Sequence, residues 1–326
     1  MPSRTRLEPH AITKIQVLEE FENGRIAVGE ALTRLSGRDS LIPMPPVTRM
    51  TRERLMGILG RLDTLVGLED VKATIRQIFA HVYIQEQRRM ARLKTAPTVL
   101  HMVFSGNPGT GKTTVARLLA EMYRDLGLLE KGHLVEVERA DLVGEYIGHT
   151  AQKTREHIER ALGGVLFIDE AYSLARGGNK DFGREAIDCL VKGMEDHRNQ
   201  FVAIIAGYEA EMQAFLATNP GLPSRFPLQL TFPDYTLSSL MAIAKRTAAL
   251  HQYKLSADAE FVLRRVLQRA LANPSRREHF SNARFVRNLM EKAIRAQSSR
   301  LFEQLNPSRE ELMTLRPEDF REGSFL

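Results

Sequence analysis

A single cysteine, Cys189, leaves this 326-residue chain no internal disulfide. It falls in an apolar helical pattern with Ile187 and Leu190, the setting of a small core residue rather than a catalytic thiol. No run of about 18 apolar residues occurs, so no membrane-spanning helix and no membrane insertion are expected. The arginines of Met1–His10 are followed by no apolar stretch, so a standard secretory signal is not expected either and the cytoplasm is the expected compartment. No His-Glu-x-x-His pattern is present, and single histidines such as His101 and His149 read as structural. The net charge of +6, with a pI near 9.5, is spread along the chain instead of gathered in a block, which makes it weak support for any partner. Low-complexity tracts and long internal repeats are absent.

What is present is the composition of a folded protein: 43% hydrophobic and 26% charged residues, in a chain long enough for two domains. Ile12, Ile15, Leu18 and Phe21, interrupted by Asn23-Gly24 and resumed by Ile26, Ala31, Leu32 and Leu35, predict a short helical hairpin. Ile42-Pro43-Met44-Pro45-Pro46 reads as a linker, since such prolines cannot sit inside a helix. Helices follow around Leu55–Leu62 and Val71–Val82. Short apolar strands are then expected at Leu100–Phe104, Leu134–Val137, Val165–Ile168, Phe201–Ala206 and Gln229–Phe232, with helices such as Thr113–Leu126 and Thr150–Leu162 between them. Apolar strands alternating with helices predict an α/β fold, a five-stranded parallel sheet covered on both faces. After Pro233 the strands stop, and Leu237–Gln252, Asp258–Leu271 and Ala283–Leu305 predict a small all-helical domain. The expected division is 1–48 hairpin and linker, 49–233 α/β domain, and 234–326 helical domain.

Gly106-Asn107-Pro108-Gly109-Thr110-Gly111-Lys112-Thr113 fits G-x-x-x-x-G-K-[ST] at every position, between an apolar strand and a helix. Its glycines let backbone N–H groups converge on phosphate oxygens, and the helix N-terminus adds partial positive charge. Lys112 supplies charge at the β- and γ-phosphates, and the Thr113 hydroxyl is a ligand for Mg²⁺. The strand Val165-Leu166-Phe167-Ile168 delivers Asp169 and Glu170 at its C-terminal end, where open parallel sheets bind ligands. Asp169 is placed for the Mg²⁺ shell and Glu170 to polarise an attacking water. The pair, set beside the phosphate loop, is the signature of a hydrolysing NTPase rather than a kinase, with Mg²⁺ as the metal expected.

The segments Leu100–Thr114, Asp141–Thr150 and Gly163–Tyr172, with Asn219-Pro220-Gly221, Ser224-Arg225-Phe226 and Ser281-Asn282-Ala283-Arg284, carry a longer likeness. From Leu65 onward the chain resembles the AAA+ subfamily that holds the stage V sporulation protein K group and the red-type Rubisco activases. The resemblance implies a P-loop AAA+ domain with a helical lid, ATP as the nucleotide hydrolysed, a homo-oligomeric ring, usually a hexamer, and a protein client. It implies nucleotide contacts at Gly106–Thr113, Thr114, Val66, Gly67 and Arg284, the last as a second sensor of the γ-phosphate. It matches Tyr146, beside Ile147, to a client-gripping pore loop, against the alternative of an ordinary surface tyrosine. It matches Arg225 to an arginine finger acting with Lys112 and Glu170, against a surface salt bridge. Two departures stand out. Where many AAA+ proteins carry a polar sensor after the fourth strand, this chain has Gly207-Tyr208, which makes Tyr208 the candidate. Pro223 stands where red-type activases tend to have a second arginine.

The layout before Arg49 and the short tail after Glu318-Asp319-Phe320 are more like the sporulation branch. The resulting expectation is a protein-remodelling ring motor in spore maturation, with Rubisco remodelling as the alternative. A DNA-acting motor or clamp loader is a further alternative, and nucleic acid is not expected as a partner because the Tyr146 loop lacks basic residues.

Overall fold

The computed structural model describes residues 51–95, 98–146, 148–177, 182–272 and 280–320. These belong to one compact unit, Met50–Leu326. The expected hairpin and linker, 1–48, lie outside the described residues, as does Ile147.

Two helices open this unit. In α1 (Arg52–Leu59) the side chain of Thr51 caps the N-terminus by accepting the Arg54 N–H. Helix α2 (Glu69–Met90) buries Val71, Ile75, Ile78, Phe79 and Val82 on one face. Five strands follow, β1 (Met102–Gly106), β2 (Leu134–Val137), β3 (Val165–Ile168), β4 (Val202–Gly207) and β5 (Leu228–Phe232). Between them lie α3 (Lys112–Asp125), the short α4 (Arg139–Leu142), α5 (His149–Ala161), α6 (Gly183–Asp196), α7 (Glu209–Ala217) and the short α8 (Leu222–Arg225).

The sheet is parallel with order β2-β3-β4-β1-β5. Its apolar runs split by the period of two. Met102 and Phe104, Val165 and Phe167, and Ile204 and Ala206 pack on one face with α1, α2 and α3. Val103, Leu166, Ile168, Ala203 and Ile205 pack on the other with α5, α6 and α7. Burial on both faces is why these strands read as continuous apolar runs.

Beyond β5, α9 (Leu237–Leu250), α10 (Ala257–Ala272) and α11 (Asn282–Phe302) enclose a separate core around Leu240, Leu263, Leu289 and Met290. One expectation is corrected here. The helical part is not wholly helical, because β6 (Lys254–Leu255) and β7 (Thr314–Leu315), the latter led in by the short α12 (Arg309–Met313), form a two-stranded parallel ladder. Two-residue strands leave no periodicity to read. They form here because Leu315 is buried in the helical core and Asp319 fastens the segment after it. Asp319 accepts two hydrogen bonds from Arg300 at 3.0 Å and one from the Arg316 N–H at 2.8 Å.

Candidate nucleotide-binding site

Strand β1 ends in the phosphate loop and β3 ends in the acidic pair, but β4 lies between them. The ends of three strands therefore meet in one open cleft of about 310 Å³. Gly106, Pro108, Gly109, Gly111, Lys112, Thr113 and Thr114 form its floor and one wall. Asp169, Glu170 and Tyr208 line the second wall, and the lid contributes Arg284. This is the end of a parallel sheet where ligands are bound.

The loop is shaped by main-chain crowding. Gly106 has φ of +144°, and a Cβ there would stand 2.3 Å from the Phe232 carbonyl oxygen. Gly109 has φ of +71°, and a Cβ would meet the Ser281 carbonyl oxygen at 2.0 Å. Both positions thus require glycine. Thr110 is fully buried and donates its hydroxyl to the Asn107 carbonyl at 2.7 Å. That bond spans the loop from residue 107 to residue 110 and helps to hold its curve. Lys112 Nζ donates to the carbonyls of Gly106 at 2.7 Å and Asn107 at 2.9 Å. Burial pulls the Lys112 ammonium below its usual pKa; the Asp169 carboxylate opposes this and Arg284 adds to it.

The acidic pair is set by an unusual backbone. Glu170 takes the left-handed region at φ 47°, ψ 42°, a conformation that costs a non-glycine residue on the order of 1–3 kcal/mol and gathers at functional sites. Its N–H donates to Asp169 Oδ1 at 3.0 Å. Asp169 and Thr113 are the oxygen donors that fit a hard cation beside phosphate oxygens. No cluster of three or more His, Cys, Asp or Glu residues suited to a metal occurs among the described residues.

Two lining residues were given no role by the sequence reading. Tyr172 follows the acidic pair, and burial pushes its phenol up to about 12, with the Glu170 carboxylate adding to the shift. The Arg176 guanidinium lies 4.6 Å from its ring centroid. Arg287 follows Arg284 by three residues on α11 and faces the same cleft. The i, i+3 spacing of two arginines at a helix start was the signal available for it.

The remaining expected residues lie elsewhere. Val66 and Gly67 are not among the lining residues; Gly67 abuts Tyr235 and Ser239, and Tyr235 with Leu68 borders Gly111 of the loop. Tyr146 is 66% exposed, with its ring 5.4 Å from that of His149. Its segment joins α4 to α5 and not a strand directly, because α4 intervenes after β2. Arg225 ends α8, where it pairs with Glu195 of α6 and donates to the Gly221 carbonyl at 3.2 Å. It does not line the cleft. Cys189 is half-buried, with Sγ 3.6 Å from the Ala151 carbonyl. His101 is buried, where its Nδ1 accepts the Ala203 N–H at 2.9 Å.

Residues 102–234 match the family described as ATPase family associated with various cellular activities (AAA), and residues 236–324 match the AAA lid domain. The chain belongs to the AAA+ ATPases, and it is an ATPase of the group that holds the sporulation and CfxQ-type proteins. It is 54% identical to stage V sporulation protein K of Bacillus subtilis over 265 residues, 81% of this chain and 82% of that one. It is 46% identical to protein CfxQ of Xanthobacter flavus, covering 78% of this chain and 79% of that one. It is 43% identical to a chloroplastic ribulose bisphosphate carboxylase/oxygenase activase of Cyanidioschyzon merolae, covering 83% and 93%. Among solved structures, a point mutant of Thermotoga maritima RuvB matches with a TM-score of 0.52 at 20% identity, covering 79% of this chain and 69% of that one. At that identity the likeness concerns the fold alone. No helix among the described residues is long and apolar enough to cross a membrane.

Proposed function

We propose that this ATPase works as a homo-oligomeric ring, hexameric by analogy with its family, that uses ATP to pull a protein client through its centre. One observation carries the reading. The cleft collects the phosphate loop, the acidic pair and two lid arginines, while Arg225 lies outside it, on α8 against α6. A guanidinium that cannot serve its own cleft suits a finger offered to a neighbour.

In this reading the loop N–H groups and Lys112 hold the β- and γ-phosphates, with Arg284 and Arg287 closing from the lid. Bound Mg²⁺, held by Thr113 and Asp169, would supply charge neutralisation at the phosphates. Glu170 takes up the proton of the attacking water, and Tyr208, at the end of β4, orients that water. Tyr146, exposed between Gly144 and Gly148, grips the client. The proposed division is 1–48, 49–233 and 234–326, with the hinge between Pro233 and Tyr235. We place the protein in the cytoplasm, in spore maturation. The 54% identity to the Bacillus sporulation protein supports that role, and the 43% identity to the activase favours Rubisco remodelling as the second reading. The segment Gly144–Thr150 carries neither lysine nor arginine, which argues against a DNA-tracking pore.

Mixing tests the ring. Arg225→Ala should bind ATP normally and lose on the order of a thousandfold in turnover. Combined with Lys112→Ala subunits, which keep the finger but cannot hold ATP, activity should exceed the sum of the two separate variants. Strict additivity in demonstrably mixed rings would rule out catalysis shared between subunits. A Glu170→Gln trap that captures Rubisco large subunit, and no other client, would replace the sporulation role by the second reading.

A further inference from the structure

The phosphate loop and the lid are joined by a polar bridge that the hydrolysis chemistry does not use. Asp234 follows β5 by two residues, at the point where the chain leaves the sheet for the lid. Its carboxylate accepts Asn107 Nδ2 at both oxygens, 3.0 and 3.1 Å. The same carboxylate accepts Asn282 Nδ2 at 2.7 Å. Asn282 is completely buried and holds a left-handed backbone, φ 46°, at the first residue of α11. Its Oδ1 accepts the Tyr235 N–H at 2.9 Å, and its Nδ2 lies 3.4 Å from the Pro108 carbonyl. A main-chain bond from the Ala283 N–H to the Gly109 carbonyl, 3.0 Å, runs alongside.

An ionised carboxylate only accepts hydrogen bonds, so both amides must turn their NH₂ groups toward Asp234. That fixes their orientation and makes both bonds charge-assisted. Asn107 belongs to the loop, whereas Asn282 stands two residues before Arg284 and five before Arg287 on α11. The bridge thereby connects the loop to the helix that carries both cleft-facing arginines.

We propose that Asp234 is a positioning residue: by bridging Asn107 and Asn282 it ties the conformation of the phosphate loop to the angle of the lid, and so to the presentation of Arg284 and Arg287. The proposal rests on the reading of those arginines as nucleotide contacts. The contact itself is judged without nucleotide.

Asp234→Ala is the direct test. It removes both acceptor oxygens at an exposed position, so folding is preserved. An asparagine would not suffice, because Oδ1 alone already accepts both amides. Spin labels at Glu159→Cys and Arg264→Cys, in a Cys189→Ser background of the full chain, report the distance between the large domain and the lid. Without nucleotide, the distance distribution should be narrow with Asp234 and clearly broader in Asp234→Ala. With a non-hydrolysable ATP analogue and Mg²⁺, the wild-type distance should shift, while Asp234→Ala still binds the analogue but responds weakly. Turnover of Asp234→Ala should show kcat reduced roughly three- to tenfold with KM little changed, the size of a coupling loss.

The rescue is specific. The double variant Asp234→Asn with Asn107→Asp rebuilds both bonds, since the amide at 234 donates to 107 and accepts from Asn282. Its nucleotide-free distribution should be narrow. A wild-type distribution in Asp234→Ala, or a double variant as broad as Asp234→Ala, would overturn the bridge. Failure of the wild type to bind the analogue would instead overturn the nucleotide roles of Arg284 and Arg287, leaving the nucleotide-free comparison to decide the bridge.

Discussion

On the sheet side the cleft is walled largely by main chain. The loop is wedged between the Phe232 and Ser281 carbonyls, and its lysine is tied to two loop carbonyls. On the lid side the cleft is lined by two long side chains of α11, Arg284 and Arg287. The first wall is preorganised where it meets the sheet, because a Cβ on Gly106 would collide with the Phe232 carbonyl, which the two-faced hydrophobic core fixes. The second is adjustable, since arginines lose little by reorienting and the lid has its own core. A rigid cradle thus faces an adjustable wall, the contrast that the proposed sensing of nucleotide by the lid would use.

That contrast can be broken most severely on the rigid side. Lys112→Ala should abolish turnover and weaken ATP binding on the order of a hundredfold or more, because a charge-assisted contact to phosphate is lost from a preformed cradle. Titration with a fluorescent ATP analogue checks it, and undiminished affinity would defeat the assignment. Glu170→Gln should leave binding intact and lower kcat on the order of a hundredfold or more, because shape is kept and the base is lost. Steady-state kinetics beside the same titration separates the two effects, and sedimentation with ATP should show a more persistent ring.

Arg284→Ala should be milder, raising the dissociation constant about tenfold, with Arg287 partly compensating from the next turn. Equal losses from Arg284→Ala and Lys112→Ala would erase the distinction between cradle and sensor. The smallest effect on function should come from His101→Asn beneath the sheet. Burial holds the His101 imidazole down to about 4 from an ordinary 6.5. A depressed folded-state pKa means stability that is full above pH 6.5 and is lost as pH falls toward 4, worth about 3 kcal/mol for this group. Asparagine keeps an acceptor for the Ala203 N–H and cannot titrate. Urea denaturation at pH 7 and pH 5 should show a smaller acid loss in the variant, with ATPase activity at pH 7 unchanged.

Much of the rigid side was legible in the residues. Val165–Ile168 and Leu134–Val137 are strands at the expected bounds; for the first, an apolar run ending in two acids has no other comfortable place than a buried strand with its end in water. The expected Leu100–Phe104 begins instead at Met102, where pairing with both β4 and β5 starts, and runs on to Gly106. Gly67 lies against Tyr235 and Ser239, and Tyr235 and Leu68 in turn come close to Gly111 of the phosphate loop, since a left-handed turn at Gly67 and Leu68 sends the chain into α2 beside the lid. The β6–β7 ladder was invisible, being too short for any pattern and dependent on the Arg300–Asp319 pair made between separate elements.

By itself the sequence determined the phosphate loop, the strand that ends in Asp169 and Glu170, and the alternation that makes a two-faced sheet. Each follows from local rules: glycine where the backbone must curl, a lysine and a hydroxyl at fixed spacing, and apolar residues in runs short enough for strands. Only the tertiary structure decided that β4 enters between β1 and β3, which brings Tyr208 to the cleft. It alone set Arg225 against Glu195 outside the cleft and hung the lid on Asp234 so that Arg284 and Arg287 face the phosphate loop. Strand order and domain angle are settled by contacts between residues far apart in the chain, whose free energy is gained only when the whole sheet and lid have packed, and no window of sequence contains both partners.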